Sequence, residues 1–289
     1  MFGYTCRHHQ GELLCDMCGT DSEHAQFTAS FRCFGNLPEL LKRRYRDSSI
    51  EYRFKAHPGV KDAIESMGIP HTEVDVVFAN GRSVDFRYQL QHLDAIDVYP
   101  IHCVVPAETM LHLSVSPVEP VAFVIDLHLG KLARRLRLLG FDCLYQNDFS
   151  DAEIMQLSFD QQRVILTRDR GILRHRQVVH GYLVRSDQVD EQVREIIGRY
   201  QLFDQIRAWR RCMACNGLLE KIEKAAIADR LEPLTRRYYL DFRRCRVCNR
   251  LYWQGSHFEK ISRWLETLHR SVSIGVGPKQ TAVINRNNY

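Results

Sequence analysis

The stretch Val164-Ile-Leu-Thr-Arg-Asp169 decides the reading of the fold: a short, largely apolar run that delivers an acid at its carboxyl end. Val121-Ala-Phe-Val-Ile-Asp126 has the same form. Runs of this kind read as strands buried on both faces, as in a parallel sheet covered on two sides. In open α/β sheets the ligand crevice lies beyond the carboxyl ends of the strands, so Asp126 and Asp169 are expected to converge there. Asp151 is expected to join them, because it opens a helix running to about Asp160. Convergent carboxylates repel unless a cation lies among them. A hard ion such as Mg²⁺ takes one or two carboxylates together with water and substrate phosphate. Phosphodiester chemistry is therefore the first expectation, with Asp126, Asp151 and Asp169 as catalytic ligands of Mg²⁺ or Mn²⁺.

The residues between these acids fill in a βαβ series. Leu127–Leu139 reads as an amphipathic helix with the apolar stripe Leu129, Leu132, Ala133, Leu136 and Leu139, closed by Gly140. Its other face carries Lys131, Arg134 and Arg135, with Arg137 on the flank. Strands at Cys143–Gln146 and Tyr182–Arg185 and a helix near Asp187–Tyr200 complete a mostly parallel sheet. Arg134, Arg137, Arg168 and Arg170 are the expected contacts to an RNA backbone. Each acid also has a plainer reading: Asp126 as a helix cap, Asp151 as a first-turn acid in a Ser150/Glu153 capping box, and Asp169 as a turn residue. Three acids on one sheet edge, with arginines beside them, fit a metal site better than three separate caps.

Cys212-Met-Ala-Cys215 and Cys245-Arg-Val-Cys248 are two knuckles that can present four thiolates to a structural zinc ion, and each is followed by Asn, which tolerates the left-handed turn required. Arg243, Arg244, Arg246, Arg250, Tyr252, Trp253 and His257 surround the second knuckle. Basic residues interleaved with aromatics suit single-stranded RNA, although Tyr252 and Trp253 could equally fill the core of a small ribbon. Residues 1–25 carry Cys6, His8, His9, Cys15 and Cys18 and form either a metal-holding or a loose extension. No apolar stretch is long enough for a membrane helix and the N-terminal residues lack the apolar core of a signal peptide, so a cytoplasmic location is expected. Ten cysteines in such a protein, several paired as Cys-x-x-Cys, point to metal sites in place of disulfides.

Upstream, Gln26 to His102 reads as a compact α+β module: strands at Gln26–Phe34 and Ile50–Lys55, a helix through Val60, Ala63, Ile64 and Met67, a hairpin of Glu73–Ala79 and Arg82–Tyr88 around Asn80-Gly81, and a last strand at Ala95–Tyr99. Charge is uneven along the chain. Residues 120–270 hold 27 Lys+Arg against 19 Asp+Glu, and the remainder 13 against 16, so the second half is the part suited to a polyanion.

These residues resemble known families. Ser150-Asp-Ala-Glu-Ile followed by Arg163-Val-Ile-Leu-Thr-Arg-Asp-Arg170 resembles the closing half of the PIN nucleases, and Phe123-Val-Ile-Asp126 their first strand. Asp126-Leu-His-Leu-Gly-Lys-Leu-Ala-Arg-Arg-Leu-Arg-Leu-Leu-Gly-Phe-Asp142 is similar to the signature of the Mut-seven C-terminal RNase family, which is PIN-like, carries a zinc ribbon and is often preceded by a ubiquitin-like module. The N-terminal module resembles the ubiquitin-like β-grasp, and His92-Leu-Asp-Ala-Ile-Asp-Val-Tyr-Pro100 its last strand in sulfur carriers. The chain runs on past that strand, which implies docking of a protein partner in place of carrier chemistry. Pattern and resemblance together give this expected organisation: an extension at 1–25, a β-grasp at 26–102, a linker at 103–119, a PIN-like α/β nuclease at 120–205, a zinc ribbon at 206–270 and a disordered tail at 271–289. The β-grasp is expected to be dispensable for chemistry, because every proposed ligand lies after the linker. Only Asp142 and Asp148 lie between Asp126 and Asp151, so the fourth acid usual in PIN nucleases lacks a helical counterpart. A non-catalytic RNA-binding or ribosome-associated adaptor is the competing expectation.

Overall fold

The computed structural model describes residues 26–46, 48–105, 109–253, 255 and 264. The expected Cys/His extension, His257 and the expected tail lie outside them. The first module is a five-stranded sheet of β1 (Phe27–Cys33), β2 (Ile50–Phe54), β3 (Val74–Ala79), β4 (Arg82–Val84) and β5 (Ala95–Pro100), with α1 (Val60–Met67) following β2. Its order is β2-β1-β5-β3-β4, with β1 parallel to β5 and the other pairs antiparallel, which is the β-grasp arrangement. Asn80 and Gly81 both have positive φ (50° and 77°), so the hairpin closes through the turn that the Asn-Gly pair signalled. The second hairpin strand ends at Val84, four residues short of the expected Tyr88.

The second module alternates strand and helix: β6 (Ala122–Ile125), α2 (Gly130–Leu138), β7 (Asp142–Leu144), α3 (Asp151–Gln161), β8 (Val164–Thr167), α4 (Arg170–Arg174), β9 (Gly181–Leu183) and α5 (Val189–Arg199). All four strands are parallel, in the order β7-β6-β8-β9. The helix expected from Leu127 opens instead as a 3-10 turn over Leu127–Leu129 before α2 begins. Every residue of the predicted stripe is buried. Gly140 closes this helix for two reasons. Its φ is +98°, and a Cβ there would stand 2.2 Å from the Arg207 carbonyl oxygen, so only glycine lets the incoming 205–209 segment reach the helix end.

Alternation along the parallel strands sends side chains to two different cores. Phe123, Ile125, Val164, Leu166, Tyr182 and Val184 pack with α2 and α5. Val124, Ile165 and Leu183 face the other way, into a core shared with α3, α4 and the β-grasp residues Leu40, Ile64, Ile69 and Val74. The two modules are thus one packed body. Polar links run along the same boundary. Buried Glu73 accepts from Leu183 N (2.9 Å) and pairs with Arg185 (2.9 Å). His71 bridges Glu65 (2.6 Å) and the Val178 carbonyl (2.9 Å), and Arg199 donates to the Thr72 carbonyl (2.9 Å). The expected linker is also bound down over its described part. Leu113 N donates to the Asp75 carbonyl (2.6 Å), and the Asp75 carboxylate holds His112 (2.8 Å) and the Ser114 hydroxyl (2.5 Å).

A three-stranded antiparallel ribbon closes the described chain: β10 (Leu219–Ile222), β11 (Phe242–Cys245) and β12 (Leu251–Trp253), with α6 (Pro233–Tyr238) in the long connection between knuckles. Among the described residues no helix is long and apolar enough to cross a membrane.

Candidate active site

Strand order fixes where a ligand can sit. From β6 the chain passes through α2 to β7 on one side, then crosses through α3 to β8 on the other, so the sheet has its switch point between the carboxyl ends of β6 and β8. Asp126 and Asp169 stand at those two ends. Asp126 is 4% exposed; its Oδ1 accepts from Leu127 N (2.6 Å) and its Oδ2 from the Thr167 hydroxyl (2.7 Å). The Thr167 hydroxyl in turn accepts from Asp169 N at 2.8 Å. Asp169 is exposed, and its Oδ1 accepts from Gly171 N (2.6 Å), capping α4, a helix that the sequence reading missed. The caps foreseen as plain readings are therefore real, yet each engaged carboxylate oxygen keeps a second lone pair for another partner.

Asp151 is exposed at the first position of α3. The Ser150/Glu153 capping box forms as expected, and hydrogen bonds from the Ser150 amide and hydroxyl hold the Glu153 carboxylate below its ordinary range. Asp187 follows β9 on the same edge and pairs with Arg168. Oxygen donors alone, with water access at Asp151 and Asp169, suit a hard divalent ion. The three carboxylates are not drawn into a group with ligand atoms all within 4.8 Å, as the four ribbon thiols are.

The arginines separate into two kinds. Arg134 is exposed and Arg168 is partly exposed beside the edge. Arg137 is corrected from the RNA-contact set: it is buried, and its guanidinium donates twice to the Cys143 carbonyl (2.8 and 3.0 Å) and to the carbonyls of Met213 (3.3 Å) and Ala214 (2.9 Å). Burial pulls its pKa below the ordinary arginine value. Arg170 is corrected likewise, since it donates to the Leu40 (2.9 Å) and Gly68 (3.3 Å) carbonyls of the β-grasp. In the sequence both look available; what it does not show is which backbone carbonyls are left for them to satisfy.

Asp142 sits at the amino end of β7, away from the acid edge, where it accepts from Arg163, Arg211 and Asn216 at 2.8 Å each. Burial works to raise its pKa, but these donors outweigh it and hold the carboxyl below its usual value. Asp142 and Arg137 together clamp the ribbon to the parallel sheet.

In the ribbon, Cys212 and Cys248 Sγ lie 3.6 Å apart and Cys215 and Cys245 Sγ 3.4 Å apart. A tetrahedral ion with metal–sulfur bonds of about 2.3 Å needs sulfurs roughly 3.8 Å apart, so the cluster fits one with little adjustment. Asn216 and Asn249 have φ of 70° and 59°, the left-handed turns expected after each knuckle. Burial opposes ionisation of Cys212, but hydrogen bonds from the Tyr252 hydroxyl and the Ala214 and Cys215 amides outweigh it and bring the thiol down to about 7.

Sequence reading missed Thr167 as the bridge between two acids. A hydroxyl closing an otherwise apolar strand, fully buried in the fold, was the available signal. It also missed Glu73, whose partners lie more than a hundred residues away. The family model of the Mut7-C RNAse domain matches residues 121–265, and that of Mut7-C ubiquitin matches residues 26–105, in the order in which the modules occur here. No curated protein and no solved structure matches the chain. With half the chain covered by the first match, and a β-grasp, a parallel sheet and a cysteine ribbon in that order, the chain belongs to the Mut7-C RNase family.

Proposed function

We propose that the chain is a metal-dependent ribonuclease whose active site is the carboxyl edge between β6 and β8. The observation that carries this reading is the Asp126–Thr167–Asp169 bridge at the sheet's switch point, which fixes the Asp126 carboxylate and the Asp169 backbone beside the crevice. Asp126, Asp151 and Asp169 would hold Mg²⁺ or Mn²⁺, which when bound supplies an activated water and charge stabilisation for the scissile phosphate. Thr167 orients Asp126 and Asp169. Arg134 and Arg168 position the RNA backbone, and Asp187 sets the pose of Arg168. Zinc held by Cys212, Cys215, Cys245 and Cys248 keeps the ribbon folded and takes no part in hydrolysis, since four thiolates close its shell. The free thiols among the described residues suit a reducing cytoplasm.

The spread of the three carboxylates gives the adaptor reading its own support: an RNA-binding protein without hydrolysis needs the arginines and the ribbon but no gathered acids. One experiment decides between them. RNA cleavage is measured with added Mg²⁺ or Mn²⁺ for the parent and for the Asp126→Asn, Asp169→Asn double variant. Cleavage by the parent alone supports the nuclease; RNA binding without cleavage by either supports the adaptor.

A further inference from the structure

A groove lies between the carboxyl end of β7 and the ribbon. Its walls are Arg134 and Arg137 on α2, the Tyr145–Asn147 segment after β7, Met213 and Ala214 of the first knuckle, and Arg250 to Tyr252 beside the second. Three observations distinguish it. No carboxylate lines it, and the exposed Arg134 and Arg250 make no ion pair or side-chain hydrogen bond among the described residues, whereas Arg244 and Arg246 of the same ribbon are taken up by Glu220. Its rings are fixed before any ligand arrives: the Tyr252 hydroxyl lies 3.0 Å from Cys212 Sγ, and the Tyr145 hydroxyl is bound to the Leu127 carbonyl (3.0 Å) and Asn147 Oδ1 (2.6 Å). The groove also lies beside the acids, because Tyr145–Asn147 follow the carboxyl end of β7, the strand next to β6, and Tyr145 is bonded to the residue after Asp126. Gly130 makes that approach possible, since a Cβ there would stand 2.5 Å from the Tyr145 hydroxyl oxygen. The buried Arg137 guanidinium ties the Met213 and Ala214 carbonyls to β7 and so sets the width between the walls.

We infer that this groove holds a single-stranded segment of the nucleic-acid substrate and leads it to the acid edge, with bases against Tyr145 and Tyr252 and phosphates on Arg134 and Arg250. This rests on the nuclease reading of that edge. Two unpaired cations supply phosphate contacts, and rigid rings supply stacking that every base can use. Gln146 and the Asn147 amide N–H groups can meet base edges, which are reachable only when the bases are unpaired. A duplex would offer phosphates to the arginines but nothing to the rings. An acidic peptide would satisfy the charge and leave the rings and amides without planar partners.

The test reads binding in buffer without added Mg²⁺ or Mn²⁺, so that no cleavage is involved. A labelled oligouridylate is titrated into the full chain over a range of salt, beside an RNA duplex of equal length and with polyglutamate as competitor. The same strand carrying 4-thiouridine is photocrosslinked and its attachment sites mapped. The single strand should bind roughly tenfold or more tighter than the duplex. The Arg134→Gln, Arg250→Gln double variant, checked for unchanged circular dichroism and metal content, should show a log K against log salt slope shallower by about 1.4, or about 0.7 for each phosphate that is no longer neutralised. Crosslinks should fall on Tyr145 and Tyr252. An unchanged slope, a duplex that binds as tightly as the single strand, crosslinks away from both tyrosines, or equal competition by polyglutamate would each overturn the proposal. Binding in this groove, with no cleavage once Mg²⁺ or Mn²⁺ is added, rejects the nuclease reading alone, and cleavage in the presence of metal with an unchanged slope rejects the groove alone.

Discussion

The Thr167 hydroxyl donates to Asp126 Oδ2 at 2.7 Å while accepting from the Asp169 amide at 2.8 Å, so one buried side chain holds the carboxylate of one acid and the backbone of the other at the ends of neighbouring strands. Thr167→Val keeps the shape and removes the bridge. Cleavage and Mn²⁺ affinity should each fall about 10- to 100-fold, the usual cost of losing a residue that orients a metal ligand. Thr167→Ser should restore both. Equal activity in the Val variant, measured by single-turnover cleavage, would show that Asp126 holds its pose unaided.

The Glu73–Arg185 pair crosses from the β-grasp to the end of β9 with Glu73 almost fully buried. Glu73→Ala leaves the Arg185 charge and the Leu183 amide without their partner and should destabilise the whole chain by about 3–5 kcal/mol in urea titration. A truncation beginning near Pro117 should not fold. It would uncover apolar side chains such as Leu173, Val178 and Leu183, each contributing roughly 1.5–3 kcal/mol when buried, a sum comparable to the entire stability of a domain. A truncated chain with a cooperative melt at the parent temperature would contradict this and reinstate the β-grasp as an appendage.

Arg137→Ala should cost about 3 kcal/mol, because three carbonyls, one of them buried, lose a charged donor at once. Arg137→Lys should recover only part, since an ammonium cannot reproduce the guanidinium fork. Zinc release to a chelator should quicken in both variants, since the Met213 and Ala214 carbonyls belong to the first knuckle. Parent-like release rates would mean that the ribbon is held by its other contacts.

Asp142 carries a pH signature. Its carboxyl titrates lower in the folded chain than in the unfolded one, so its stabilisation is complete above the unfolded value near 3.9 and is lost as pH falls through the lower folded value. The parent should therefore lose stability steeply below about pH 4. Asp142→Asn should be less stable at pH 7 and shallower on the acid side. Parallel acid limbs for parent and variant in pH-dependent melts would remove Asp142 from the clamp.

Much of this is legible in the sequence where local pattern decides the outcome. Val164 to Thr167 and Val121 to Ile125 are apolar enough that only a doubly covered sheet accommodates them, and Asn80-Gly81 permits few other turns. The cysteine knuckles and the asparagines after them specify the ribbon. What is not legible depends on long-range pairing. Arg137 and Arg170 look like surface cations because the carbonyls they satisfy are exposed to view only by tertiary packing: Cys143 and residues 213–214 for Arg137, Leu40 and Gly68 for Arg170. Asp142 looks like a spare catalytic acid for the same reason. The boundary at 103–119 is readable from its prolines, but not the shared core, because Leu183 and Val124 would be apolar against any partner.

That shared core also has a consequence for the chain while it is being made. The β-grasp strands are complete at Pro100, yet the strand that covers their apolar side, β9, ends at Leu183, about 80 residues later. At a synthesis rate of about 5–20 residues per second the gap lasts roughly 4–16 s, during which Leu40, Ile69 and Val74 have no parallel sheet to pack against. The emerging N-terminal half thus leaves apolar surface uncovered, and pausing between residues 100 and 183 should raise the fraction of chain lost to aggregation.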